Sequence, residues 1–343
     1  MKTRLAAVLA AALAAGAWLA ACAPAGDPAT PSPSPPSPAR DATAATSATV
    51  PAASETVEVA ALKGPTTMGL AWLLDSQDAA APTRYELSLH GAADEITPGL
   101  VKGETMLAAI PANLAAVLYA KGAKIKVAAV NTLGVLHVVT KNEPVAAFAD
   151  LAGKKVFSTG KGTTPQYVLD YLLAKNGIRA EVEYLSEAAE VAARLAASDQ
   201  AIAVLPEPYV TTVLAQDPSL TPALDLTVEW DKVSETTLVT GVLVVADQYL
   251  EQNPSGLDAF LDEYRSSIEH ANANPGDVAP VIADLGIVPS AEVAAAAIPR
   301  SHLAFLSGAE CKAAVAAYLG VLAEANPESV GGGLPGDDFY YGA

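Results

Sequence analysis

The chain has 343 residues, 20 Lys and Arg against 38 Asp and Glu, and a formal net charge of −18. That length is too great for one small core and suits two lobes. The acidity, with no basic run to interrupt it, disfavours nucleic acid and other polyanions, whose binding needs clustered Lys and Arg.

Lys2 and Arg4 precede an apolar run from Leu5 to Leu19 that is short for a membrane span, and the segment reads as a secretory leader. It ends Leu19-Ala20-Ala21-Cys22, with small residues leading into a cysteine. Ala23 to about Glu55 is Pro, Ser, Thr and Ala, too poor in large apolar groups to offset the entropy of ordering. It is expected to be a disordered tether. The other cysteine, Cys311, is read as a free structural thiol, and no Cys/His spacing suits a metal.

Val57 to Leu62 is a short apolar run closed by Lys63-Gly64-Pro65, and Leu70, Leu73 and Leu74 follow at helical spacing. The reading is strand, tight loop, helix, with Thr66 and Thr67 at the helix start. Leu151 to Leu173 has the same order, with Thr163 and Thr164 as its pair. Leu89–Leu118 likewise matches Leu185–Leu214. An offset of about 96 residues, slipping by one or two, marks a diverged duplication.

Tyr85–Gly91 and Thr105–Pro111 read as strands, each followed by a helix, and strands alternating with helices imply a parallel sheet. The extended stretches Lys124–Thr140 and Thr236–Leu250 are taken as the two crossings between lobes. Helical patterns over 255–273, 277–285, 290–298 and 308–325 complete the first lobe. The resulting division is 1–21 leader, 22–56 tether, 57–138 with 243–343 as lobe I, and 139–242 as lobe II.

Two catalytic classes find no support. Gly153–Thr164 departs from the phosphate-loop pattern, since Lys155 and Gly162 occupy positions that require Gly and Ser/Thr. His90, His137, His270 and His302 are scattered, without triad or metal spacing. What remains is a set of polar residues at strand ends, where open α/β sheets bind ligands. The threonine pairs could be helix caps or ligand contacts. Asn113, Asn131, Thr132, Gln166, Tyr209 and Lys63 join them as candidates. Glu207, an acid directly after the strand Ala201–Pro206, could meet a ligand amine or cap the next helix, and the ligand contact is preferred. Trp230 is a weaker candidate, and Trp72 reads as core.

ALKGPTTMG, AAIPANLAAVLY, AVNTLGVLHVV, STGKGTTPQYVLDYLLAKNGI, VLPEPYVTTVL, LDLTVEWDKV and GGGLPGDDFYY together resemble the solute-binding lipoproteins of ABC importers. The similar branch contains nitrate, sulfonate and taurine binders and thiamine-pyrimidine-precursor binders. The resemblance covers Val57 to Tyr341. It implies a two-lobed periplasmic-binding-protein-like (type II) α/β fold with two hinge crossings and a ligand between the lobes. It also implies a monomer that needs no cofactor and passes its solute to ABC permease subunits rather than acting as an enzyme. The Leu19–Cys22 segment resembles a bacterial lipobox, implying cleavage before Cys22, its lipidation, and anchoring on the extracytoplasmic face of the membrane. An ordinary signal peptide with an incidental cysteine is the alternative. Glu207, Tyr167 and Tyr209 favour a neutral, amine-bearing or heteroaromatic small molecule over a compact anion. Two rival functions are an enzyme resembling menaquinone-pathway proteins on the same fold, and a surface adhesin.

Overall fold

The computed structural model describes residues 55–343 except Ala79. The leader, Cys22 and all but the last two residues of the tether lie outside these residues. In chain order the first part is β1 (Glu55–Leu62), α1 (Pro65–Met68), α2 (Ala71–Ser76), β2 (Thr83–His90), α3 (Ala93–Lys102), β3 (Leu107–Pro111), α4 (Ala112–Ala120) and β4 (Ile125–Leu133). The middle part is β5 (Leu136–Lys141), β6 (Lys155–Ser158), α5 (Thr164–Lys175), β7 (Glu181–Tyr184), α6 (Ala188–Ala197), β8 (Ala201–Pro206), α7 (Tyr209–Gln216), β9 (Leu220–Asp225) and α8 (Leu226–Asp231). The chain then runs through β10 (Val239–Ala246), α9 (Asp247–Gln252), α10 (Gly256–Ala273), α11 (Pro275–Asp284), α12 (Ala291–Ala297), β11 (Leu303–Ser307) and α13 (Gly308–Ala325).

Two sheets result, ordered β11-β4-β10-β3-β1-β2 and β7-β6-β8-β5-β9. In the first, β1 pairs parallel to β2 and β3, and β10 pairs antiparallel to β3. In the second, β6 pairs parallel to β7 and β8, and β5 pairs antiparallel to β8. The same four-strand pattern thus occurs twice, each time completed by the strand next to a crossing. Duplication at the level of sequence has become duplication of topology. Each sheet with its helices forms a lobe, and the whole is a two-lobed, periplasmic-binding-protein-like α/β fold.

The change of sheet does not fall where the sequence places it. Boundaries at 138/139 and 242/243 lie inside β5 and β10, which are hydrogen-bonded on both sides over most of their length. Bending there would break a ladder on each flank. The chain leaves the first sheet at Gly134–Val135 and returns through 232–238, segments outside the strands, where one bond from Glu207 N to Val135 O at 3.0 Å continues the β5–β8 pairing. The two crossings touch. A Cβ on Gly134 would collide with Thr227 Oγ1 and lie 2.6 Å from a Leu238 methyl, so any larger residue would have to displace both side chains.

The helix expected over Thr66–Leu74 is also divided, into α1 and α2. Ser267 of α10 supplies the reason: its hydroxyl donates to Gly69 O at 2.7 Å and accepts from Leu73 N at 2.9 Å. These bonds satisfy backbone groups at the junction from outside.

Apolar burial holds the layers together. One core lies between the first sheet and α10–α12, and a smaller one lies under α6 and α7. A third runs continuously from the first lobe into the second. Trp230 is its midpoint, fully buried, with ring centroids 4.7 Å from Tyr171 of α5 and 5.7 Å from Tyr318 of α13. Trp230 is therefore core, not a ligand platform. Trp72 is half-buried and stacks on His270.

Candidate functional site

A cavity of about 490 Å³ lies between the lobes, within the range of small-molecule sites. Its wall is built from the starts of helices on both sides. Gly64–Thr66 before and in α1, Gly91–Asp94 at α3 and Pro111 at α4 come from the first lobe. Thr163–Pro165 at α5 and Ser186 with Ala188 at α6 come from the second. At none of these five helices does the N-cap side chain accept a backbone bond. Amides of a helix's first turn have no intrahelical acceptor, and the helix dipole makes that end partly positive. Pro65 and Pro165 carry no N–H, and the third amides of α1, α3, α5 and α6 bond their N-cap carbonyls, so the donors that remain toward the cavity are the other first- and second-position amides.

Three of the helices share one local device. Gly91 N donates to Glu95, Gly162 N to Gln166, and Ser186 N to Glu190, at 2.8 to 3.1 Å. In each case the third helical residue reaches back to the residue before the N-cap. This corrects the reading of Gln166, which is committed to Gly162 and does not line the cavity.

The predicted residues divide clearly. Lys63, Thr66, Thr163 and Thr164 line the cavity. Thr66 is buried and its hydroxyl oxygen has no partner among the described residues. Thr67, next to it, does not line the cavity, and its hydroxyl donates to Leu62 O, the end of β1. Neither threonine of that pair is an N-cap, because Gly64 holds the cap position and Pro65 opens the helix. Thr163 does hold the N-cap position of α5, but its hydroxyl donates back to Gly160 O at 2.8 Å.

Asn131 and Thr132 on β4 are buried beneath the cavity rather than in its wall. Around Gly241 of β10, a Cβ would meet Asn131 Oδ1 and Thr66 Cγ2 at 2.5 Å each. Glycine there lets Thr66 settle onto the sheet. The side-chain amide of Asn131 and the hydroxyl of Thr132 have no hydrogen-bond partner among the described residues. Asn113 is fully buried and outside the wall; it spans the lobes instead, with Nδ2 donating to Gly162 O at 3.2 Å.

Glu207 is the principal correction. Its side chain is fully buried, one oxygen accepts from Thr211 N at 3.1 Å, and the other lies 2.9 Å from Arg300 Nε. It bonds the first turn of α7, pairs with Arg300 across the lobes, and does not line the cavity. Burial raises its pKa, against the opposing pull of the Thr211 bonds and the Arg300 charge. Tyr209, the first residue of α7, is half-buried and does not line the cavity, nor does Tyr167.

Sequence reasoning missed Gly91–Asp94, Thr97, Thr159, Ser186 and Thr240, all in the wall. A signal for two of these groups was present: Gly91/Glu95 and Ser186/Glu190 repeat one spacing in the two halves. Among the described residues no aromatic ring and no arginine lines the cavity; its charged side chains are Lys63, Lys161 and Asp94. Leu62, Leu114, Val135, Leu136 and Leu185 supply an apolar stretch. Among the described residues no three His, Cys, Asp or Glu gather as metal ligands, and no helix is long and apolar enough to cross a membrane.

The sequence profile of the NMT1/THI5-like family matches residues 91–278, more than half of the chain. The chain belongs to this family. No curated protein matches it in sequence. Among solved structures it is similar to an ABC transporter protein from Parabacteroides distasonis, with 27% identity, TM-score 0.70, and coverage of 83% of this chain and 98% of that one. It shares its fold with the periplasmic aliphatic sulphonate-binding protein SsuA from Escherichia coli, at 18% identity, TM-score 0.64, and coverage of 81% and 90%. The nitrate-binding protein NrtA from Synechocystis is similar at 15% identity, TM-score 0.57, and coverage of 76% and 75%.

Proposed function

We propose that this NMT1/THI5-like protein is the lipid-anchored, extracytoplasmic solute-binding component of an ABC importer. In this reading it holds a small molecule between its lobes and releases it unchanged to the permease. The carrying observation is the interlobe cavity of about 490 Å³, whose wall is drawn from helix starts of both lobes. A wall divided between two bodies is suited to a ligand that enters when they part and is enclosed when they meet.

The reading favours an organic anion with a compact charged head and an aliphatic body. The residues that favoured an amine or heteroaromatic ring, Glu207, Tyr167 and Tyr209, do not line the cavity. First-turn amides, Lys63 and Lys161 suit an oxyanion, and the leucines and Val135 suit carbon. The names of SsuA and NrtA, a sulphonate binder and a nitrate binder on this fold, agree with that chemistry.

Mass spectrometry of small molecules released from the purified protein is the first test, followed by thermal shift with an alkanesulfonate, a fatty-acid-like carboxylate and a heteroaromatic amine. Stabilisation by an anion alone is expected; stabilisation by the amine alone would overturn the ligand class. For the anchor, Cys22→Ala should release the protein from membranes into the medium, and continued membrane association would refute it.

A further inference from the structure

Asn113 stands apart from the other candidates because it is committed entirely to protein groups in both lobes. Its Nδ2 donates to Ser329 O at 3.1 Å, in its own lobe, and to Gly162 O at 3.2 Å, in the other. The first bond fixes the direction of the second. Gly162 belongs to the Gly160–Thr163 loop that lines the cavity, and its N–H is held from the opposite side by Gln166. A positive φ of 78° at Gly162 turns that peptide toward Asn113. Beside it, Thr164 Oγ1 lies 3.4 Å from both Asn113 Oδ1 and Thr240 O, placing a second polar contact across the lobes.

We infer that Asn113 is a positioning residue: with Thr164 it forms a latch that sets how much of the time the lobes are closed, and Asn113 itself lies outside the cavity wall. This deepens the solute-binding reading and rests on it for its biological meaning. Both side chains are fully buried in the closed arrangement. Opening would exchange their cross-lobe partners for water, which compensates a solvent-facing amide far better than a truncated side chain can satisfy a buried carbonyl. Removing the amide therefore penalises the closed state and leaves the open one nearly unchanged. Ligand affinity would fall in proportion to the closed fraction, although the cavity wall keeps every group.

Spin labels at Val101→Cys on α3 and Ala193→Cys on α6, both exposed and on different lobes, report the separation by pulsed electron resonance. The full chain carries Cys22→Ala so that the labels are the reactive thiols; Cys311 is buried and its thiol is pushed up to about 12. Asn113→Ala should move population to longer distances, and Thr164→Val should do so more weakly. Thr164→Ser, which keeps the hydroxyl, should restore the parent distribution. Thr66→Val, in the wall but outside the latch, should leave it unaltered. A lowered melting temperature with unchanged distances in both Asn113→Ala and Thr164→Val would overturn the latch and make these residues merely structural. If Asn113→Ala does not fold, Thr164→Val and its serine rescue decide alone. The experiment needs no ligand, so failure to find a co-purified solute would count against the solute-binding reading while leaving the latch standing.

Discussion

Glu207 and Arg300 permit a sharp test, because the two ends of their ion pair are unequal. The Glu207 side chain is fully buried, whereas that of Arg300 is 40% exposed. At a separation of about 3 Å and an effective dielectric near 20, their attraction is on the order of several kcal/mol, and desolvating the carboxylate costs a similar amount. Glu207→Gln removes both quantities together. Its amide oxygen can still accept from Thr211 N, so the net loss should be about 1 kcal/mol. Arg300→Met removes the attraction alone and strands a buried carboxylate with its Thr211 bonds. Such truncations cost about 3–5 kcal/mol when both partners are buried; water around Arg300 reduces this to about 2–4 kcal/mol.

The removal of the more exposed partner should therefore be the more damaging change. Chemical denaturation at pH 7 measures both losses. The pH dependence has a definite sign. Burial already holds Glu207 above its ordinary 4.5, so its folded form binds a proton more tightly than its unfolded form. Its stabilisation is present below 4.5 and is lost as pH rises through the raised value; Arg300→Met raises that value further. The deficit of Arg300→Met should thus be greatest at neutral pH and shrink on acidification toward 4.5. A larger loss in Glu207→Gln than in Arg300→Met, or a fall in ligand affinity at unchanged stability, would refute this account and return Glu207 to the ligand.

Thr66→Val should weaken solute binding about tenfold with little effect on stability, whereas Thr67→Val should lower stability by about 1 kcal/mol and spare affinity; isothermal titration and melting curves on the same samples distinguish them. Gly241→Ala places a methyl 2.5 Å from Asn131 Oδ1 and Thr66 Cγ2 and should cost roughly 1–3 kcal/mol, read by thermal denaturation. Cys311, buried with its thiol near 12, should resist iodoacetamide in the native protein and react once denatured. Solute should reduce the radius of gyration by rotation at Gly134–Val135 and residues 232–238; an unchanged radius at saturation would indicate a rigid scaffold.

Most of the architecture was legible in local pattern. Short apolar runs closed by glycine and proline, followed by helical spacing, identify β1, β3, β6 and β8 with their helices, because burial of one sheet face and one helix stripe imposes those periods. The echo of Leu89–Leu118 in Leu185–Leu214 already contained the twofold topology. Even the cavity's general position followed, since helix starts gather at the carboxyl ends of parallel strands.

Which side chain faces the cavity was decided elsewhere. Thr66 and Thr67 are indistinguishable as neighbours in sequence; β1 claims one hydroxyl through Leu62 O, and Gly241 of β10 leaves room for the other against the sheet. Glu207 follows a strand end as a ligand residue would, but Arg300, just ahead of β11 in the other lobe, lies where it can take the carboxylate. Asn113 reads as a site residue until Gly162 and Ser329 are seen on either side of it. Local sequence determines conformation through interactions spanning a few residues. The allotment of a hydroxyl, amide or carboxylate to cap, latch or cavity depends on partners brought near by the folded chain, and only the tertiary structure supplies them.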